Sequence, residues 1–333
     1  MPLVIHPHFH RRYTGATRHV EAVVPSLTRR IETRVMGRAL DPALPFIRWR
    51  ELLRRARRES VVWHAHRINE LVIGLLLKLW GRHVRLAFTR HASTRPHWFT
   101  LFIASRADRA VALTPEIAAQ LPFPSRVVGH GVDLAQFRPP ADREQAYAAL
   151  GVGGRYGIGV VGRVRREKGQ GDFVAALAPL LPRYPQWRAV LVGLAKRSDL
   201  PWAQSLRDQL QGALVLAGER VPIQPWYQGL TVLVHPSYTE GYSLVHVEAL
   251  ASGCCVVSSR LPYVETLIEH GRTGFLYDIE DVAQLREILG QLLREPDRAL
   301  QVGRNAAEHA RGHFGVDREA AALYELYREW LEP

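Results

Sequence analysis

The segment His235-Pro236-Ser237-Tyr238-Thr239-Glu240-Gly241-Tyr242-Ser243-Leu244-Val245-His246-Val247-Glu248 places two carboxylates eight positions apart around a glycine. An apolar run ends at Val234 and a helical pattern starts near Ser243, so the segment reads as strand, loop and helix. Gly241 permits close backbone approach, and the free N–H groups from Tyr242 to Val245 would point at an anion above the helix. A carboxylate is a poor neighbour for a diphosphate but a good acceptor from sugar or ribose hydroxyls. Glu240 and Glu248, flanking a phosphate-binding helix end, therefore suit a nucleotide sugar. The plain alternative is a loop glutamate and an exposed helix glutamate; the strand–glycine–helix context argues against it.

A second constellation is Gly162-Arg163-Val164-Arg165-Arg166-Glu167-Lys168-Gly169, directly after an apolar strand. A glycine-flanked basic loop at the carboxyl end of a strand suits a phosphate, because mobile backbone, cations and a helix N-terminus converge there. Lys168 is one of three lysines in an arginine-rich chain. Gly157, Gly159 and Gly162 match G-x-G-x-x-G, but two of them fall inside the strand, whereas a dinucleotide fingerprint needs them in the turn after it.

Both constellations need strands to hold them. Strand-length apolar runs occur at 156–161, 188–194, 213–217, 231–234, 254–258 and 274–277, separated by helical patterns at 172–181, 203–211, 243–251 and 282–294. This alternation predicts an α/β fold with a parallel sheet covered on both faces, and ligands at the carboxyl ends of its strands. The N-terminal half repeats the theme at 3–5, 60–64, 84–89, 109–113 and 126–128, with a helix at 70–80. Arg138-Pro139-Pro140 and the polar 141–145 read as a linker. The expected division is a domain at 1–140 and a second at 150–315, with a last helix at 318–331 as a candidate to return onto the first.

The chain has 333 residues, enough for two cores, and is 47% apolar, outside the disordered range. Its only cysteines, Cys254 and Cys255, are adjacent in an apolar run and read as small hydrophobes in a reducing compartment. No signal peptide is visible at the start, and the most apolar stretch, 71–80, is too short to span a bilayer. The net charge of +12 favours anionic partners. Phe46–Glu59 alternates Ile47, Trp49, Leu52 and Leu53 with arginines, as either a solvated helix face or a basic amphipathic helix on an anionic bilayer. The arginines are not interleaved with stacking aromatics in a nucleic-acid-binding motif, so no specific nucleic acid is expected.

Taken together, Glu240…Glu248, Gly162-Arg163 with Lys168, and Gly129-His130-Gly131-Val132-Asp133…Phe137 resemble the retaining glycosyltransferases of the GT-B fold, in the large group with sucrose synthases and bacterial mannosyltransferases. The resemblance spans nearly the whole chain. It implies two Rossmann-like domains with parallel sheets facing across a cleft. It also implies that Arg163 and Lys168 hold the donor diphosphate, Glu248 binds the ribose and Glu240 contacts the transferred sugar. Gly162 and the Gly241, Tyr242, Ser243 and Leu244 backbone would cradle the phosphates. Catalysis would fall to Glu240, Arg163, Lys168 and His91, the last facing the reacting sugar although the usual acidic residue after it is missing.

Within that group, 6–15, 62–74 and 86–97 look like lipopolysaccharide core mannosyltransferases that act on the Kdo sugar of lipid A. This implies transfer of mannose from GDP-mannose, with Gly15 near the donor phosphates and Arg11, Arg12, Arg90 and Arg95 meeting an anionic glycolipid at the cytoplasmic face of the inner membrane. A UDP-sugar donor for another envelope glycan is the alternative. His6, His8 and His10, like His64 and His66, alternate so as to point to one side of a strand, which could ligate a metal. No cysteine or paired carboxylate completes a set nearby, and the resemblance implies no essential metal or other cofactor.

Overall fold

Short apolar runs joined by helical crossovers bury both faces of each strand, which forces a parallel sheet with helices on either side. The structure, a computed structural model, describes residues 2–11, 14–81 and 83–330. It contains two six-stranded sheets. In the first, β1 (Leu3–His8), β2 (Thr33–Gly37), β3 (Val61–Ala65), β4 (Val84–Arg90), β5 (Arg109–Ala112) and β6 (Ser125–Val127) run in the order β2-β1-β3-β4-β5-β6. In the second, β7 (Tyr156–Val161), β8 (Trp187–Val192), β9 (Leu214–Gly218), β10 (Val232–His235), β11 (Cys255–Ser259) and β12 (Gly274–Tyr277) run in the order β12-β11-β10-β7-β8-β9. Every pairing is parallel.

The chain separates into two units. The first takes the chain through Gly131, the short segment Gly241–Leu244 and the C-terminal segment from Phe314; the second takes Val132–Glu240 and Val245–His313. Residues 132–140, expected with the N-terminal domain, thus cluster with the second unit. In the first unit one core face joins Val20, Val24 and Leu27 of the helix Gly15–Thr28 to Leu323, Leu326 and Tyr327 of the helix Val316–Arg328. The other face is built on Leu3, Trp63, Leu71 and Leu86. The second unit's core centres on Phe173, Trp187, Tyr277 and Leu289.

Several elements differ from the sequence expectation. The strand Thr33–Gly37 and the helix Gly15–Thr28 were not anticipated: Arg34 and Gly37 dilute the first, and Pro25 with polar Thr17, Arg18 and His19 obscures the second. The supposed linker contains a helix, Arg143–Ala148, whose first turn is capped by the Asp142 carboxylate accepting from the Gln145 N–H. The basic stretch 46–59 yields only the helix Trp49–Arg55. Its Ile47 and Leu52 are buried, and Arg55 makes paired hydrogen bonds of 2.7 and 2.8 Å to Glu32. That segment therefore spends Ile47, Leu52 and one of its cations inside the protein, while Phe46 and Trp49 stay exposed. Gly157 and Gly159 are glycines for packing: a Cβ would come within 2.3 Å of the Tyr147 ring at the first and 2.9 Å of the Val190 carbonyl at the second.

Candidate functional site

In the second unit, the loop after β7 turns at Gly162, whose φ of +144° excludes most side chains. It ends at Gly169, where φ is +67° and a Cβ would sit 1.9 Å from the Pro236 carbonyl oxygen. Only glycine lets these two loops touch. The Tyr238 N–H donates to the Glu167 carbonyl at 3.1 Å, and Gln170 donates to the Arg163 carbonyl at 2.9 Å. This lacing delivers Lys168 Nζ onto the Glu240 carboxylate, which also bonds His235 Nε2 at 3.1 Å. Burial would raise the Glu240 pKa, but His235 and Lys168 outweigh it and bring it down to about 2. Glu240 is therefore an anion at neutral pH, and its partner Lys168 remains 26% exposed.

Glu248 lies in the helix Leu244–Ala251, buried, and accepts from the Tyr227 hydroxyl at 2.8 Å. Around it, the Arg143 guanidinium donates to the carbonyls of Tyr227, Leu230 and Ser252 at 3.0, 2.6 and 2.5 Å. One half-buried cation thus ties the helix Gln224–Gly229 to the end of the Glu248 helix. Arg163 is exposed, with no ion-pair partner among the described residues. Gly162, Arg163, Lys168, Glu240 and Glu248 all come from the carboxyl-end loops of β7 and β10 or the helix beyond, the position where such sheets bind ligands. Sequence reasoning gave no role to His235, Tyr227 or Arg143. His235 sat inside the quoted motif, whereas Arg143 lay in a segment that looked like linker.

The first unit gathers histidines at the carboxyl ends of its strands. His6 Nδ1 lies 3.0 Å from His66 Nε2, His66 Nδ1 lies 3.2 Å from His91 Nε2, and His91 Nδ1 lies 3.2 Å from His130 Nε2. His130 Nδ1 then reaches Glu319 at 3.1 Å, and His19 Nε2 reaches the same oxygen at 2.7 Å. The second Glu319 oxygen accepts from the Gly131 N–H at 2.7 Å. A carboxylate only accepts, so with neutral rings Glu319 fixes every proton in the row: His130, His91, His66 and His6 each donate from Nδ1. Burial holds His6 at about 3 and His130 at about 4, and lowers His64, His66 and His91 as well. Burial would raise the pKa of Glu319, but His19 and His130 together lower it.

Both ring nitrogens of His91 are engaged within this row, and its carbonyl oxygen lies where a Cβ at Gly241 would come within 2.3 Å. Tyr242 donates its hydroxyl to the His130 carbonyl at 2.9 Å, and Ser243 directly precedes the helix, begun by Leu244, that carries Glu248. Gly15 is the exposed first residue of a helix with no acidic residue in its first turn. Arg11 and Arg95 are exposed, but Arg90 is buried and donates to the Thr94 carbonyl, so it braces its own loop. Arg12 lies outside the described residues.

Residues 155–295 match the family described as Glycosyl transferases group 1. A lipopolysaccharide core biosynthesis mannosyltransferase, LpcC of Rhizobium leguminosarum bv. viciae, is 35% identical over 98% of this chain and 96% of its own. LpsB of Rhizobium meliloti, of the same description, is 30% identical over 98% of this chain and 97% of its own. Among solved structures, Anabaena HepE in complex with UDP and glucose superposes with a TM-score of 0.83 at 20% identity, covering 98% of this chain and 99% of that one. With near-full-length relatives at this identity and two parallel sheets of this order, the chain belongs to the group 1 glycosyltransferases and has the GT-B fold.

Proposed function

We propose that this glycosyltransferase moves mannose from GDP-mannose to the Kdo sugar of a lipid A-linked inner-core acceptor, retaining the anomeric configuration. The observation that carries the reading is the Lys168–Glu240–His235 cluster, a carboxylate held ionised beside a reachable ammonium. Support for the mannosyl reading comes from the two Rhizobium relatives, both named lipopolysaccharide core mannosyltransferases and both matched along nearly the whole chain. Lys168 and Arg163 would meet the diphosphate, with the N–H groups at the start of the helix Leu244–Ala251. Glu240 would accept from a hydroxyl of the transferred sugar, and Glu248 from the ribose. In the reaction the bond from the anomeric carbon to the phosphate oxygen breaks, and the acceptor oxygen bonds on the same face. The acceptor's proton passes to the departing phosphate. Fixed cations stabilise the charge as it develops, with no reorganisation at that moment.

The acceptor end of the reading rests on surface chemistry. No helix among the described residues is long and apolar enough to cross a membrane. The helices Ile68–Trp80 and Trp98–Ala104 nevertheless expose Leu79 at 86%, Trp98 at 68% and Leu76 at 62%, alongside Trp80, Phe99 and Phe102. Exposed aromatics with Arg57 over Trp80 at 4.1 Å suit peripheral attachment to an anionic membrane surface on the cytoplasmic side. These residues, rather than 46–59, are the ones we assign to it. A UDP-sugar donor is the second reading, favoured by the HepE fold-mate, whose structure was solved with UDP.

A thermal-shift comparison of GDP, UDP and ADP separates these readings. A nucleotide at 100 times its Kd adds roughly 2.7 kcal/mol to stability. Selective stabilisation by GDP is the expected outcome; a UDP preference would move the donor to the second reading, and indifference to all three would remove the donor site.

A further inference from the structure

We propose that His19, His66 and His91 form a binding site for one divalent transition-metal ion, zinc foremost, within the first unit. One ring nitrogen from each lies within 4.8 Å of the others. The ring centroids form a near-even triangle, 5.2 Å from His19 to His66, 5.8 Å from His19 to His91 and 5.4 Å from His66 to His91. Zinc binds imidazole nitrogen at 2.0–2.1 Å, so two ligands of a tetrahedral site stand about 3.3 Å apart. His66 Nδ1 and His91 Nε2 are 3.2 Å apart, already at that spacing.

The third nitrogen comes from His19. Its Nε2 is taken by Glu319, while its Nδ1 is buried and has no hydrogen-bond partner among the described residues. A buried polar atom left bare is costly, and an ion between the three rings would satisfy it. The nitrogen that each ring turns away from the site is held. His66 Nε2 is held by His6 at 3.0 Å, His91 Nδ1 by His130 at 3.2 Å and His19 Nε2 by Glu319 at 2.7 Å. Outer partners of this kind orient the rings in histidine metal sites. On binding, the His66 proton moves from Nδ1 to Nε2, which donates to His6 Nδ1, and the His6 proton moves to its own unpartnered Nε2. Burial keeps His66 and His91 unprotonated, the form that ligates. Three imidazoles suit zinc, cobalt or nickel rather than magnesium or calcium. The three ligands come from the helix Gly15–Thr28 and the ends of β3 and β4, so an ion would clasp that end of the sheet.

The test is zinc and cobalt binding to the intact, chelator-stripped protein, by calorimetric titration and by X-ray absorption of the zinc-loaded wild type. One equivalent should bind, with an imidazole-rich first shell near 2.0 Å, and cobalt should give the strong visible band of a tetrahedral site. His66→Gln and His91→Gln should each weaken binding by more than the roughly 10–100-fold that losing an outer partner costs, and Glu319→Gln by about that amount. Absence of binding by the wild type would mean that the rings form only a hydrogen-bonded row, and would overturn the proposal. Undiminished affinity in both histidine variants would overturn it too, by placing the ion elsewhere, such as the stacked His309 and His313 pair. If the variants fail to fold, the wild-type absorption spectrum still decides, since fewer than three imidazoles in the shell contradicts the site.

Discussion

Lys168→Ala is expected to lower kcat/KM for glycosyl transfer by roughly 10²–10³-fold, the range found when one preorganised donor to a developing oxyanion is removed. The ammonium serves two groups. It neutralises Glu240 in the free protein, and it lies in the loop that would carry the diphosphate. Removing it leaves Glu240 with His235 alone, so the pKa of Glu240 should climb from about 2 toward the ordinary value. The loss should fall mainly on kcat, because charge builds on the diphosphate as the bond breaks rather than in the ground state. Lys168→Arg keeps the charge but not the point-like geometry, and should restore only part of the rate. A Lys168→Ala enzyme with unchanged kcat and raised KM would instead mean that the lysine binds donor and transition state equally.

Glu319→Ala is expected to destabilise the first unit by about 1–3 kcal/mol for each buried donor it leaves unsatisfied. The carboxylate satisfies His19, His130 and the Gly131 N–H, all buried around it. Chemical denaturation of the variant, followed by tryptophan fluorescence, reads the loss; a change under about 1 kcal/mol would mean that water substitutes for the carboxylate. The same cluster makes the wild type sensitive to acid. His6 and His130 are held below their usual 6.5, at about 3 and about 4. The unfolded chain therefore binds more protons below pH 6.5. Stability is fully present above that pH and is lost as pH falls toward the folded values, by up to about 1.4 kcal/mol per pH unit for each histidine.

The second unit was far more legible in the sequence than the first. Its strands are continuous apolar runs such as Tyr156–Val161, buried on both faces, and the observed bounds fall within a residue or two of the expected ones. Its glycines announce turns, because Gly162 and Gly169 occupy positive φ that few other residues accept. The first unit hides its logic in long-range pairing. His6, His66, His91, His130 and Glu319 come from five distant segments, and Glu319 lies 188 positions after its Gly131 partner. Local spacing could show the alternating histidines but not what completes them. The basic stretch 46–59 is ambiguous for a related reason: an amphipathic pattern looks alike whether its apolar face meets a membrane or the protein's own core, and here Ile47 and Leu52 meet the core while Phe46 and Trp49 stay exposed.

The most direct measurement is transfer itself: purified protein, GDP-mannose and a Kdo-bearing lipid A acceptor, with product analysed by mass spectrometry and the new linkage by NMR. The expected result is a single added hexose on Kdo with the anomeric configuration of the donor, lost in Lys168→Ala and Glu240→Ala. Transfer from a UDP-sugar but not from GDP-mannose, or transfer undiminished in both variants, would contradict it.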